Sequence, residues 1–313
     1  MKVLLTSTSF QDTPGKHQDL LKAQGYELDM LRGPLLEDEL LPIVGNYDAI
    51  ICGDDEYTEK VLEKGFEGRL RYISKYGVGL DRIDLNAAEK LGIPVTNCPG
   101  VNQISVSEHV LALLFTFEKN IHVQHNSTQN GSWKRWVGQE IHGRTIGIVG
   151  LGAVGRELAK KSNALGMKVL AFDIFKDKDF LKAHDYVSFV SNLDEIYSQA
   201  EIISLHLPHT SESKHMINEE VVFEKLKRNP ILINTSRGKL VDSKVIIKAL
   251  KAERIRGYLT DVLAHEPMLA DEVLKGVENI IITPHVGSRT FQSVERQGIM
   301  AVTNLLKLAG KDL

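Results

Sequence analysis

Three short segments of this chain each carry a side chain suited to anion or proton chemistry, and each follows an apolar run. Arg237 lies in Asn234-Thr235-Ser236-Arg237-Gly238, Glu266 in Asp261-Val262-Leu263-Ala264-His265-Glu266-Pro267, and His285 in Thr283-Pro284-His285-Val286-Gly287-Ser288. An arginine offers a planar fork of donors that fits a carboxylate. A histidine gives and takes a proton near neutral pH. A glutamate beside an imidazole fixes its orientation and stabilises its charged form, as the acid of a catalytic triad does. One such residue alone is ordinarily a solvated or satisfied polar group. All three, after three successive apolar runs, point to one site at the strand ends of one sheet.

The element that organises them lies near the middle of the chain. Thr145-Ile-Gly-Ile-Val-Gly150-Leu-Gly152-Ala-Val-Gly155-Arg156 reads as a strand, a glycine turn and a helix, followed by the apolar run 168–172 and then Asp173. This is the context in which G-x-G-x-x-G binds a dinucleotide. Gly150 allows the tight turn, Gly152 admits a pyrophosphate to the backbone, and Gly155 lets the helix pack on the sheet. Ala153 and Val154 open the helix, whose N–H groups and partial positive charge favour phosphate. Asp173 is placed to accept hydrogen bonds from an adenosine ribose and to repel a 2′-phosphate, so NAD is expected over NADP. With a nicotinamide cofactor on that turn, hydride transfer to a 2-oxo acid needs a cation for the carboxylate, a proton donor for the developing alkoxide, and a group that tunes the donor. Arg237, His285 and Glu266 supply these in turn.

Around this unit the chain reads as α/β. Residues 3–5, 27–31, 49–52, 72–75 and 94–96 read as strands, with helical stretches at 17–24 and 58–64 and a long apolar helix over 106–120. Six strands then follow in the dinucleotide unit, at 146–149, 169–172, 202–205, 231–233, 257–262 and 280–283. The alternation implies parallel sheets. The simplest organisation is a Rossmann dinucleotide-binding domain, residues 99–285, inserted into a split substrate-binding domain, residues 1–98 plus 286–313, with a cleft between them.

The 313 residues carry 42% hydrophobic and 25% charged side chains, ordinary for a globular protein, and a net charge of −3 gives no argument for nucleic acid or a membrane surface. No apolar run reaches membrane-spanning length, the first strand is too brief for a signal segment, and Cys52 and Cys98 show no metal-ligand spacing. A cytoplasmic protein with buried, reduced thiols and no metal site is expected. His109, His122 and His142 lack partners at ligand spacing.

The chain resembles the D-isomer-specific 2-hydroxyacid dehydrogenase family, which includes phosphoglycerate, glycerate/hydroxypyruvate and D-lactate dehydrogenases. The resemblance rests on Lys75-Tyr-Gly-Val-Gly-Leu-Asp81, Asn97-Cys-Pro-Gly-Val-Asn102, Val106-Ser-Glu108, Leu205-His206-Leu-Pro208, residues 147–155 and the three segments above, in family order along nearly the whole chain. It implies a flavodoxin-like fold for the split domain, Arg237, Glu266 and His285 as the catalytic trio, and an enzyme that moves a hydride between NAD(H) and C2 of a small D-2-hydroxy acid. It further implies that Asp261 meets the nicotinamide carboxamide, that His206 and Pro208 line the cofactor together with Thr235, Ser236, His285 and Gly287, and that the backbone at Val78 and Gly79 holds the substrate carboxylate near Asn102. Lys75 and Tyr76, which precede that loop and depart from the commoner family pattern, are further candidates for substrate contact. A homodimer through the NAD-binding domain is implied, with Trp133, Arg135 and Trp136 in the contact. His265 has no family counterpart and reads as an exposed loop residue.

The acid itself is less legible. Lys75, Arg82 and Arg289 depart from the commoner family pattern and offer either a phosphate site, favouring 3-phosphoglycerate, or solvated surface charge; glycerate/hydroxypyruvate is the other expectation. A second class of function, an NAD-sensing corepressor with little turnover, shares the same scaffold in proteins that resemble this family.

Overall fold

The computed structural model describes residues 1–310, and the last three residues of the expected 286–313 segment lie outside them. The chain forms two compact units, Met1–Asn102 with the described part of Ser288–Leu313, and Gln103–Gly287. The chain thus leaves the first unit after Asn102, against an expected 98, and re-enters it at Ser288, against an expected 286.

The first unit is built on five parallel strands: β1 (Lys2–Leu5), β2 (Glu27–Met30), β3 (Ala49–Cys52), β4 (Tyr72–Lys75) and β5 (Val95–Thr96). Their order is β2-β1-β3-β4-β5, the flavodoxin-like arrangement. Each central strand is a short apolar run because both of its faces are covered. Val3, Leu5, Ala49 and Ile51 pack with Ala301, Val302, Leu305 and Leu306 of the C-terminal helix Phe291–Leu308, while Leu4, Ile50 and Ile73 pack in the other layer. Fully burying each such branched side chain contributes about 1.5–3 kcal/mol. The helix starts on a Thr290 hydroxyl that accepts the Ser293 N–H at 3.2 Å. The Ser74 hydroxyl donates to the Ala301 carbonyl at 2.7 Å, so the helix is tied to β4 as well as packed on it. Cys52 and Cys98 are free thiols buried in this unit.

The second unit holds seven parallel strands: β6 (Thr145–Val149), β7 (Lys168–Phe172), β8 (Val187–Phe189), β9 (Ile202–Leu205), β10 (Ile231–Asn234), β11 (Gly257–Thr260) and β12 (Ile280–Ile282). Their order is β12-β11-β10-β9-β6-β7-β8. The sequence predicted six strands. The seventh, β8, is a three-residue edge strand paired only with β7, too short to show a periodic signal. The order reverses beside β6, between β7 and β9, so the crevice at the carboxyl end of the sheet opens at the glycine turn. Helix Gln103–Glu118 begins three residues before the expected 106 and contributes Val110, Leu111, Leu113 and Leu114 to the core that contains Leu158 and Ala159 of helix Ala153–Ala164. Residues 132–140 have no regular secondary structure, and Trp133 there is 80% exposed. Among the described residues, no helix is long and apolar enough to cross a membrane, and no cluster of His, Cys, Asp or Glu side chains is arranged to hold a metal ion.

Candidate active site

The glycine turn is held open by its own backbone. Gly150 has φ +99°, its N–H donates to the Phe172 carbonyl at 2.9 Å, and a Cβ there would lie 2.5 Å from the His206 carbonyl oxygen. A Cβ on Gly155 would run into the carbonyl oxygen of Gly150, so the helix can approach the turn only with glycine at that place. Gly152 is different. It has φ −73°, a Cβ on it would meet nothing within 4 Å, and no side chain caps helix Ala153–Ala164, which it precedes. The first N–H groups of that helix, at Ala153 and Val154, therefore await an acceptor that no side-chain cap supplies. Asp173 supports the turn directly, with Oδ2 accepting the Leu151 N–H at 2.6 Å and Oδ1 the Phe175 N–H at 2.9 Å. Arg156 pins it from the other side, donating to the Leu151 carbonyl at 2.8 Å while pairing with Asp177 at 2.9 Å.

On the next strand, β9, the His206 N–H donates to the Val149 carbonyl at 2.8 Å and Nε2 meets the Ser204 hydroxyl at 2.9 Å. Desolvation lowers the His206 imidazole from its usual 6.5 to about 4, so it stays neutral at physiological pH. Pro208 is exposed, and its carbonyl is held by the Ser213 hydroxyl at 2.8 Å.

Asn234, fully buried at the end of β10, shapes the arginine loop. Its Nδ2 donates to the Arg237 carbonyl at 2.8 Å, and its Oδ1 accepts the Ser236 N–H at 3.1 Å and hydroxyl at 3.0 Å. Arg237 is half-buried, with Nη1 donating to the Ser236 carbonyl at 2.7 Å. The Thr235 hydroxyl oxygen is buried with no hydrogen-bond partner. A buried polar atom in that state is costly, and a bound group that satisfies it relieves the cost. The uncapped helix start, the room beside Gly152 and this orphaned hydroxyl together fit a dinucleotide cofactor.

A Cβ on Gly238 would overlap the Leu263 backbone, so this glycine lets the arginine loop touch the glutamate loop. There Glu266 accepts the Leu263 N–H through Oε1 at 2.9 Å and meets Nδ1 of His285 through Oε2 at 2.7 Å. The His285 side chain is 41% exposed and its backbone is left-handed, φ +53°, an uncommon conformation for a residue with a side chain. His265 is exposed, as expected.

The resemblance gives Asp261 to the nicotinamide carboxamide; the residue is 2% exposed and both of its oxygens accept from protein donors. Oδ1 accepts the Thr283 hydroxyl at 2.5 Å and the Val286 N–H at 2.9 Å, and Oδ2 accepts the Gly287 N–H at 2.7 Å. His109 Nε2 lies 3.3 Å from Oδ1. Burial pushes this carboxyl up, but the donors from His109, Thr283, Val286 and Gly287 outweigh it and hold the group below the ordinary aspartate value. His109, which has no partner at metal-ligand spacing in the sequence, is a member of this hydrogen-bonded cluster. The signal available was a polar side chain preceding the apolar run 110–114, and nothing local named its partners.

The remaining predicted residues belong to the first unit. The Lys75 ammonium is buried and donates to the Gly53 carbonyl and Asp54 Oδ1, each at 2.7 Å, and to the Tyr76 carbonyl at 3.4 Å. It clamps the ends of β3 and β4 together. Tyr76 is buried with an unpartnered hydroxyl, and burial raises its pKa. Gly77, at φ +132°, turns the chain into exposed Val78 and half-buried Gly79, and Asn102 is half-buried. Val78 is fixed by an Asn97 side chain donating to its carbonyl at 2.6 Å. Arg289 is exposed and donates to the Thr8 hydroxyl at 3.2 Å, whereas Arg82 is half-buried.

Comparison with known proteins places this geometry. Residues 111–287 match the model of the D-isomer specific 2-hydroxyacid dehydrogenase NAD binding domain. A glyoxylate reductase of Korarchaeum cryptofilum is 35% identical over 291 residues, 90% of this chain and 86% of that protein. A D-3-phosphoglycerate dehydrogenase of Synechocystis is 37% identical over 87% of this chain, but the chain spans only 48% of that relative's length. Among solved structures, the TT0316 protein of Thermus thermophilus superposes with a TM-score of 0.88 at 35% identity, covering 100% of this chain and 98% of that one. NAD is thereby the cofactor of this domain. With a family match over more than half of the sequence and relatives of this similarity along nearly all of it, the chain belongs to the D-isomer specific 2-hydroxyacid dehydrogenase family.

Proposed function

We propose that the protein catalyses reversible hydride transfer between NAD(H) and C2 of a small D-2-hydroxy acid, with glyoxylate or hydroxypyruvate as the oxo acid. The observation that carries the reading is the Glu266–His285 pair, 2.7 Å apart on strand-end loops of the NAD-binding unit, with Arg237 on the loop that touches the Glu266 loop. The cofactor, when bound, supplies or accepts the hydride. Arg237 offers its guanidinium to the substrate carboxylate and polarises the C2 oxygen. Glu266 holds Nδ1–H of His285, which directs Nε2 to the C2 oxygen as the acid in reduction and the base in oxidation. Within the first unit, the loop carrying Val78 and Gly79 is the part we assign to substrate, through backbone N–H groups.

The choice of an unphosphorylated acid rests on Lys75. Of the three cations that set this chain apart, Lys75 is committed to three acceptors and has no capacity left for a phosphate. The name of the Korarchaeum relative agrees with this choice, whereas the name of the Synechocystis relative favours 3-phosphoglycerate. A homodimer formed through the NAD-binding unit completes the proposal, supported by the exposed Trp133 and Val137 in the segment without regular structure. NADH oxidation measured against glyoxylate, hydroxypyruvate and 3-phosphohydroxypyruvate tests the substrate assignment. Preference for the phosphorylated acid would reject that assignment, and no turnover with any of them while NADH still binds would favour an NAD sensor.

A further inference from the structure

Three successive backbone N–H groups, those of His285, Val286 and Gly287, all end on Asp261. The His285 N–H donates to the Asp261 carbonyl at 2.8 Å, and the next two donate to its carboxylate at 2.9 and 2.7 Å. A left-handed residue at the head of such a run turns consecutive N–H groups to one side and makes a concave anion cradle. The φ of +53° at His285 is that turn, and the anion in the cradle belongs to the protein itself. The conformation of His285 is thus maintained by the charge and direction of the Asp261 carboxylate.

What holds that carboxylate comes from another element. Thr283 Oγ1 donates its proton to Asp261 Oδ1 at 2.5 Å, so the hydroxyl has only acceptor capacity left toward His109 Nε2, 2.9 Å away. Asp261 Oδ1, 3.3 Å from the same nitrogen, is an acceptor too. Nε2 of His109 must therefore carry a proton, shared between the Thr283 and Asp261 oxygens. His109 reaches in from helix Gln103–Glu118, and Gly287 leaves room for the carboxylate, since a Cβ there would lie 3.0 Å from Asp261 Oδ2.

We propose that His109 is a positioning residue for the proton transfer: through Thr283 and Asp261 it fixes the backbone of His285 and so the direction of its imidazole. This rests on His285 being the acid and base of the reaction. His109 itself touches neither substrate nor the reacting atoms. Its action passes through two hydrogen bonds and a backbone cradle, so its removal is expected to displace the His285 backbone, and the imidazole with it, from the reacting oxygen while the Glu266 carboxylate stays close enough to favour the charged ring. Misplacement by about 1 Å costs on the order of 100-fold in rate.

The test compares His109→Leu, which removes the donor, with His109→Gln, whose amide nitrogen restores one, and with Thr283→Val and His285→Ala. NADH oxidation with the best oxo acid of the panel gives kcat and KM, NADH fluorescence gives the cofactor Kd, and thermal melting reports folding. His109→Leu is expected to lower kcat by about 10–100-fold with the NADH Kd within about 2-fold of wild type, and His109→Gln to recover most of the loss. The pH dependence of kcat should keep its midpoint in His109→Leu and move in Glu266→Gln. Should His109→Leu not fold, Thr283→Val interrupts the same link and is expected to show the same kcat loss. Wild-type kcat in His109→Leu or Thr283→Val, beside an inactive His285→Ala, would overturn the positioning role alone. An active His285→Ala would overturn the reading beneath it as well.

Discussion

Glu266 grips Nδ1 of His285 at 2.7 Å with one carboxylate oxygen while its other oxygen takes the Leu263 N–H at 2.9 Å. A carboxylate anchored at both oxygens does not rotate freely, so the imidazole it meets has one orientation and one tautomer, with Nδ1 carrying the proton. Glu266→Gln keeps the size of the group but removes the charge that favours the imidazolium. It is expected to reduce kcat for oxo-acid reduction by about 100-fold or more. The midpoint of the pH profile should move to lower pH, because the cationic imidazole loses its partner. Measured kcat against pH checks both, and an unmoved midpoint would show that the pair does not tune the reaction.

The glycines of the turn separate cofactor binding from folding. A methyl at Gly152 meets nothing and suits its φ of −73°, so Gly152→Ala should fold with a nearly unchanged Tm. It should raise the NADH Kd about 10-fold or more, because the methyl occupies the approach to the helix N-terminus. Gly155→Ala drives a methyl into the Gly150 carbonyl and should cost about 1–3 kcal/mol of stability, read as a Tm lower by several degrees. Thermal melts and NADH titrations of the two variants should give opposite patterns, and equal Tm losses would contradict this division of roles.

His206 makes acid stability a local property. Its folded-state value of about 4 lies below the ordinary 6.5, so the unfolded chain binds the proton first as pH falls. The stability this group contributes is complete above about pH 6.5 and is lost as pH falls toward 4, with a ceiling on the order of 3 kcal/mol. His206→Gln removes the titrating group and keeps a polar side chain opposite Ser204. Urea unfolding between pH 4 and 7 should show a shallower loss of stability in the variant, and identical slopes would contradict the assignment.

Much of this site is written in local sequence. The glycines, Asp173 and the three strand-end segments sit where chain order and apolar runs place them, because a parallel sheet delivers its strand ends to one edge whatever packs around it. The roles that escaped are those fixed by packing from elsewhere. Lys75 reads as a basic residue before a glycine loop, and nothing local shows that its ammonium joins the ends of β3 and β4. The protein partners of Asp261, the Thr283 hydroxyl and the N–H groups of Val286 and Gly287, come from the segment after β12, and no spacing in the sequence pairs them with it. His109 is separated from Thr283 by most of the second unit in sequence, and only the docking of helix Gln103–Glu118 brings them within 2.9 Å. Strand β8 escaped for a different reason: three residues at a sheet edge carry no readable period.

The most direct measurement is NADH oxidation by wild-type protein and by His285→Ala with glyoxylate and hydroxypyruvate, alongside NADH binding by fluorescence. The wild type is expected to turn over, and the variant to lose about 1,000-fold or more in kcat with its NADH Kd within about 2-fold. Turnover by His285→Ala close to wild type would contradict His285 as the proton donor and, with it, the proposed reaction at this site.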